Sequence, residues 1–347
     1  MTITPQFYDT AALLGVMREE DAPSFFWASY FTNQTNQDDE YIDFEKIPHS
    51  GRRLATFVTP MSQGKPIYER RSVLTRIKPS YIKMKDAVTP DRVMKRRPGE
   101  LLDPNPSSPE MRRQAIIADI AVQHNEAIDR RLEWLAARAM IDGRVVIEDD
   151  LSPSREVDFR RDAAHTVALT TGARWDQTTA TITENIETWR TLCRRAEFGG
   201  RTNRVIFGTD AWDAVRKNDD IKALMDRNFR GRDGNVRTGL SRDSEIEFVG
   251  DLGPDLEAWV YSDYYEEGST RVDFLDPKAV VLTGPNLNGY RCFGAIQDPH
   301  ARYGAWDRFP RNYLEQGDPA AEYVLTQSAP IMVPMNPNVT FKATVLT

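Results

Sequence analysis

The stretch 51-GRRLATFVTP MSQGKPIYER RSVLTRIKPS YIKMKDAVTP DRVMKRR-97 decides how the chain is read. It carries thirteen basic side chains against Glu69, Asp86 and Asp91, a net charge of +10 inside a chain of −7, so the other residues together carry −17. Residues 54–61 and 65–73 have strand-like patterns, with Gln63-Gly64 as the turn between them. Ile77, Tyr81, Ile82 and Val88 continue an extended path punctuated by Pro79 and Pro90, and proline confines such strands to sheet edges or bulges. A two-stranded ribbon with charges on both faces is not stable alone. It needs a surface to dock on, and a basic arm on an acidic body finds one on each neighbouring copy of that body. The chain reads as one made to assemble.

On the N-terminal side, residues 1–50 are acidic and aromatic, with nine carboxylates facing Arg18 and Lys46. A short helix is expected over 10–18. Phe25-Phe26-Trp27 with Tyr30-Phe31 forms a compact apolar cluster that reads either as the edge of the chain's own core or as an arm laid on a neighbouring subunit. On the other side, a connector rich in proline (Pro98, Pro104, Pro106, Pro109) leads to Ser108, Pro109 and Glu110: a capping serine, proline at the first helical position and an acid at the positive dipole end. Ile117, Ile120, His124, Ala127, Ile128, Leu132, Leu135 and Ala139 follow at helical spacing, and Gly143 is a natural terminator. A helix of about 33 residues would be ~50 Å long, whereas a compact chain of this size has a radius of gyration of about 20 Å. Such a helix is a spine, and the molecule around it is expected to be flat and elongated.

Beyond the spine, 144–149 and 155–159 read as a hairpin around Ser152-Pro153-Ser154. A helix over 182–198 presents Ile182, Ile186, Trp189, Leu192 and Cys193 on one face. Arg204-Val205-Ile206-Phe207-Gly208 is a buried strand, followed by a helix capped by Thr209. This alternation gives a mixed α+β unit over 183–300. Residues 228–244, with Gly231, Gly234 and Gly239, read as a flexible loop. Tyr323-Val324-Leu325 and Val339-Thr340-Phe341 read as strands that return to the spine.

The 347 residues, 40% of them apolar, are enough to bury a large core. A sequence pI near 5.4 argues against a dedicated nucleic-acid binder, whose domain is usually basic; binding of nucleic acid by the arm 51–97 is the alternative. Cys193 and Cys292 make no disulfide framework and are expected as buried free thiols. No run approaches a membrane span and no leader pattern opens the sequence, so a soluble protein folded in a reducing cytoplasm is expected, with no membrane partner. His49, His124, His165 and His300 stand at no metal-ligand spacing. His124, on the apolar face of the spine, reads as a satisfied core histidine. Nucleophile-elbow, phosphate-loop and dinucleotide motifs are missing from the sequence. Neither an enzyme nor a cofactor is expected.

The order of elements resembles the HK97-like fold of tailed-phage major capsid proteins, and the sequence is similar to the lambda-type major head protein family. Thr59-Pro60 with Gly64 resembles that family's Ser-Pro-x-x-x-Gly segment. Tyr81-Ile82-Lys83 with Lys85, Pro90, Arg96, Arg97 and Pro98 resembles its Tyr-Val-Lys-Pro-Lys and Arg-Arg-Leu-Pro segments. The densest match is Cys292 with Ile296-Gln297-Asp298, then Arg308-Phe309-Pro310-Arg311-Asn312, Gly317-Asp318-Pro319-Ala320 and Gln327-Ser328-Ala329-Pro330. It is weakest over 200–290.

The resemblance implies an N-terminal arm (1–50), an extended β-hairpin loop lying over the adjacent subunit (51–97), a peripheral domain with spine helix and hairpin (98–182), an axial α+β domain (183–300) and C-terminal strands returning to the peripheral domain (301–347). It implies hexamers and pentamers in an icosahedral shell around packaged double-stranded DNA, assembled in the host cytoplasm. The partners it implies are a scaffolding protein, expected as a separate chain, a portal protein and often a decoration protein. Arg70, Arg71, Arg76, Lys83, Arg96 and Arg97 are the basic intersubunit candidates. Glu148, Asp149 and Asp150 are the acidic cluster they could meet, unless it is simply a solvated hairpin tip. The physics agrees: an open ribbon edge becomes ordered when a neighbour covers it, and one heterologous contact repeated around a ring closes a capsomer.

Overall fold

The computed structural model describes residues 10–19, 26–46, 57, 60–61, 63, 73–95, 108–149, 152–177, 180–218, 221, 245–252, 255–316 and 320–347. Elements are numbered in chain order. The helices are α1 (Thr10–Glu19), α2 (Pro90–Met94), α3 (Pro109–Ile141), α4 (Ile182–Arg195) and α5 (Thr209–Lys217).

The spine is α3, with 33 residues. Ser108 Oγ accepts the Met111 N–H at 3.2 Å, Pro109 opens the helix, and Glu110 stands in its first turn. Gly143 leaves the helix at φ +68°, and a Cβ there would lie 2.8 Å from the Arg161 side chain. Arg161 fills that space. Its guanidinium donates to the carbonyls of Met140 and Ile141 at 2.8 and 2.9 Å, two acceptors that the ending helix leaves without partners. The expected apolar residues are buried except Ala127, which is exposed. The buried stripe is shifted toward Asn125, Asp129 and Glu133, all buried, and Ala127 is left at its margin.

A six-stranded sheet runs in the order β7 (Thr166–Ala168), β18 (Phe341–Thr344), β13 (Ala279–Thr283), β8 (Arg204–Phe207), β10 (Glu257–Tyr261), β9 (Ile246–Asp251). The pairs β7/β18 and β8/β10 are parallel and the other three antiparallel, so the sheet is mixed. α4 packs on it through Ile182, Ile186, Trp189 and Cys193; Trp189 stacks on Trp175 and Phe341 at 5.9 and 5.1 Å. Two strands of this sheet lie outside the expected unit 183–300. The final strand does not return to the spine. Phe341, Ala343 and Val345 are buried in this core, and Lys342, pointing the other way, pairs with Asp142 at 2.7 Å.

The strands that do return are β16 (Ala321–Ser328) and β17 (Pro330–Pro334), both packed on α3. β16 lies between β15 (Phe309–Glu315) and β4 (Ile82–Val88); β17 pairs with β14 (Gly289–Phe293), whose other neighbour is β1 (Asn33–Asn36). Three two-stranded units complete the described fold: β2 (Ile42–Lys46) with β3 (Val73–Ile77), β5 (Arg144–Asp149) with β6 (Ser152–Asp158), and β11 (Tyr264–Glu267) with β12 (Thr270–Asp273). In β5/β6 the register reaches Asp149↔Ser152, so the connection is tighter than a turn at Ser152-Pro153-Ser154. Gly208, not Thr209, takes the N-cap position of α5; a Cβ at 208 would lie 2.5 Å from the carbonyls of Asp276 and Pro277.

α1 lies along the first half of α3, with Leu13 and Met17 buried against Ile116, Ile117, Ile120 and Ala121. Phe26, Trp27 and Phe31 enter the main core with Ile128, Leu132, Tyr261 and the residues of β17. Phe26, Trp27, Tyr30 and Phe31 therefore belong to the core of their own chain; Phe25 lies outside the described residues. Among the described residues no helix is long and apolar enough to cross a membrane. The glycine-rich stretch 228–244 lies outside the described residues.

Candidate intersubunit interface

The basic stretch is built from the body outward. β3, its first described strand, pairs with β2 of the acidic N-terminal segment in the register Ile42↔Ile77 to Lys46↔Val73. Ile42, Phe44 and Ile77 point into the core, while Asp43 and Arg76, opposite each other, point to solvent. Arg76 grips Asp43 with two bonds of 2.8 and 2.9 Å, and that fork holds the Asp43 carboxyl below the usual range. Lys78 meets Glu40 at 2.6 Å, and the Tyr41 ring lies 5.8 and 5.9 Å from the two cations. These pairs are exposed, so they add little to stability. What they do is neutralise the base of the arm with the chain's own acids.

The second described strand of the arm, β4, is an edge strand of the body, flanked by Pro79 and Pro90, as proline requires. Lys85 lies 3.7 Å from the centre of the Tyr323 ring and 3.6 Å from Glu315. The Asp86 carboxylate lies 2.8 Å from His124 Nε2, and His124 Nδ1 is 2.9 Å from Thr326 Oγ1. The core histidine is thus satisfied on both nitrogens and ties arm to spine. α2 follows where Thr89, Pro90 and Asp91 give cap, first-turn proline and acid, a start signal the strand reading passed over.

Of the candidate contacts, Arg76 is bound inside its own chain, Lys83 is exposed on β4, Glu148 is exposed on β5, and Asp149 closes the hairpin against Ser152. Arg70, Arg71, Arg96, Arg97 and Asp150 lie outside the described residues, as does most of the strand pair expected over 54–61 and 65–73. Within that stretch Pro60 and Met61 form a turn, earlier than Gln63-Gly64, and Phe57 and Met61 have their side chains wholly in solvent.

The segment that precedes the arm is held by a clasp the sequence did not reveal. Glu133, with no exposed surface, accepts the N–H groups of Trp27 and Ala28 at 2.8 Å each, capping the short turn Ala28–Tyr30 from across the fold. Arg291 on β14 donates to the carbonyls of Phe31 and Ala28 at 2.7 and 2.9 Å. A buried carboxyl group holds the donors and a guanidinium the acceptors of one five-residue segment, Trp27–Phe31. Burial pushes Glu133 up to about 7, against the pull of the two N–H groups, with Asp263 adding to the rise. Tyr261 Oη stands 3.4 Å from the same carboxylate, and Asp263 is paired with Arg130 at 3.1 Å. The available signal was spacing: Asn125, Asp129 and Glu133 form an i, i+4 row beside the apolar stripe. Cys193 and Cys292 are buried free thiols, both pushed up to about 12 by burial.

The family model described as phage major capsid protein E matches residues 9–345. The major capsid protein of Escherichia phage lambda is 28% identical over 340 residues, spanning 95% of this chain and 97% of that one. Among solved structures, a prophage protein of E. coli CFT073 described as a capsid protein superposes with a TM-score of 0.73 at 24% identity, covering 98% of this chain and 99% of the other. The asymmetric unit of the bacteriophage PhiM1 mature capsid superposes with a TM-score of 0.52 at 10% identity, over 99% and 91% of the two chains. At these identities the structural likenesses speak to the path of the backbone alone.

Proposed function

The chain belongs to the phage major capsid protein E family, and from that premise we propose how its parts build a shell. It is a structural protein of a phage head, with an HK97-like α+β fold, and copies of it form the capsid of the virion. In our reading the copies meet as hexamers and pentamers. Residues 1–50 serve as the N-terminal arm, and 51–97 as the extended loop that lies on the adjacent subunit. Residues 98–182 form the peripheral domain, 183–300 with β7 and β18 the axial domain, and β15 to β17 the return to the spine. A scaffolding protein, a portal and a decoration protein complete the set of partners. Double-stranded DNA lies against the inner face, and assembly takes place in the host cytoplasm. The role is structural, without catalysis.

The observation that carries this reading is the unequal treatment of the basic arm. Its base is neutralised and pinned by Asp43, Glu40 and the spine, whereas Phe57 and Met61 farther along expose their whole side chains. Burying a side chain of that size is worth about 1.5–3 kcal/mol, which a neighbouring subunit would supply and water does not. Nucleic-acid binding by the arm is less well served, because Arg76, Lys78 and Lys85 are already engaged by their own chain.

Negative-stain microscopy of the purified chain, alone and with its scaffold at low and high salt, tests this reading. Uniform shells or rings of five and six are expected. Arg70→Glu and Arg71→Glu should each abolish them while leaving the subunit's circular dichroism unchanged. Normal shells from both variants would remove these arginines from the contact, and small compact particles from the unmodified chain under every condition would remove the assembly itself.

A further inference from the structure

The turn between β14 and β15 is unusual in combining strain, tight tethering and exposed aromatic rings. Arg302 and Tyr303 are consecutive non-glycine residues in the left-handed region, at φ 53° and 56°, a conformation that persists only where the surroundings impose it. They do so here. The Asp298 carboxylate accepts the His300 N–H at 2.9 Å and is itself held by Gln327 Nε2 at 2.8 Å. The Arg302 and Gly304 N–H groups reach the carbonyls of Pro299 and Ala301, both at 3.1 Å, and the Gly304 carbonyl receives the Ile296 N–H at 3.0 Å. Trp306 Nε1 donates to the Ala301 carbonyl at 3.3 Å. It can lie there because residue 304 is glycine, where a Cβ would come within 3.1 Å of that nitrogen.

The outcome of this ordering is that Tyr303 and Trp306 are 60% and 42% exposed, with Arg302 exposed beside them. Rigid tyrosine, tryptophan and arginine side chains on a prepaid backbone are the composition of interface anchors. We propose that this turn is a contact knob, and that Tyr303 and Trp306 seat against a second copy of the chain. The proposal rests on the shell reading and adds to it a surface separate from the basic arm.

Two observations select a second copy as the occupant. Outside 51–97 the chain carries −17, so the average surface that a copy offers is complementary to Arg302. The knob is also continuous with the arm: the Asp38 carboxylate accepts the Ala305 N–H at 2.8 Å, and Asn36 Nδ2 donates to the Ala305 carbonyl at 3.3 Å, just before β2 begins the ribbon.

Hydroxyl-radical footprinting of unassembled subunits, and of shells containing this chain alone, reads the contact directly. Tyr303 and Trp306 should oxidise several-fold more slowly in the shells. A Tyr303→Ala, Trp306→Ala double variant, with unchanged circular dichroism, should lower shell yield about tenfold or more. Equal oxidation in both states, or protection that appears only when an accessory protein is added, would overturn the knob while leaving the shell reading intact. Failure of the unmodified chain to form any shell would overturn both.

Discussion

Replacing Glu133 with glutamine tests whether the buried clasp on Trp27 and Ala28 is an ionisable one. An ordinary glutamate titrates at 4.5, whereas burial pushes this one up to about 7. Below 4.5 both folded and unfolded chains hold the proton and the residue adds no pH dependence. Between 4.5 and 7 the unfolded chain releases its proton first, so the folded state binds more protons and stability falls as pH rises. Above 7 both are ionised and the loss is complete, about 3 kcal/mol at about 1.4 kcal/mol per pH unit. Over the accessible window from pH 5 to 8, the same relation gives a fall of about 2.5 kcal/mol. Glutamine does not titrate, and with one carbonyl acceptor and one protonated group it mimics the neutral acid that the folded subunit holds at pH 5. Glu133→Gln should therefore match the unmodified subunit at pH 5 and be more stable than it at pH 8, by about 2.5 kcal/mol. Urea unfolding of unassembled subunits at constant ionic strength measures this difference, and amide exchange at Trp27 and Ala28 locates it. A difference that stays flat from pH 5 to 8, or a variant that falls below the unmodified subunit as pH rises, would refute the reasoning.

Ser108→Ala removes the acceptor of the Met111 N–H and should cost about 1 kcal/mol in the urea midpoint without changing its slope. Gly143→Ala forces a side chain into a φ of +68° and against Arg161, and should cost more than about 1 kcal/mol; a neutral result would mean that the spine ends differently in solution.

The spine was readable because its signals are local and agree: cap, first-turn proline, apolar spacing and terminal glycine all lie within one helix. The family was readable from short motifs whose order survives divergence. The base of the ribbon was not, because β2 pairs with β3 across the whole intervening arm, and no turn residue announces a partner that distant. Gly64 speaks only to the local strand pair around it, which lies mostly outside the described residues. Phe341 looked like any β-forming residue, and nothing in its neighbourhood distinguishes packing on Trp189 from packing on the spine. Glu133 was hidden by its own chemistry, since an acid on a helix reads as a solvated face until the backbone donors it serves are brought in from residues 27 and 28. Of the contact candidates, the sequence identified the charge of the arm but not its division. Arg76 is spent on Asp43, and whatever binds a neighbour must come from the rest.

The position of β18 has a consequence for the timing of folding. It sits between β7 and β13, so a nascent chain leaves β7 without its sheet partner and one edge of β13 open until residues 341–344 have cleared the ribosome. Translation products that stop earlier lack the strand that joins β7 to the sheet and expose Trp189 and Val280, the surfaces that Phe341 and Ala343 would cover. Such fragments carry the arm but not a finished body. The last strand to be made is thus the one that closes the Trp189 face and the open edge of β13, and the body is unfinished until it arrives.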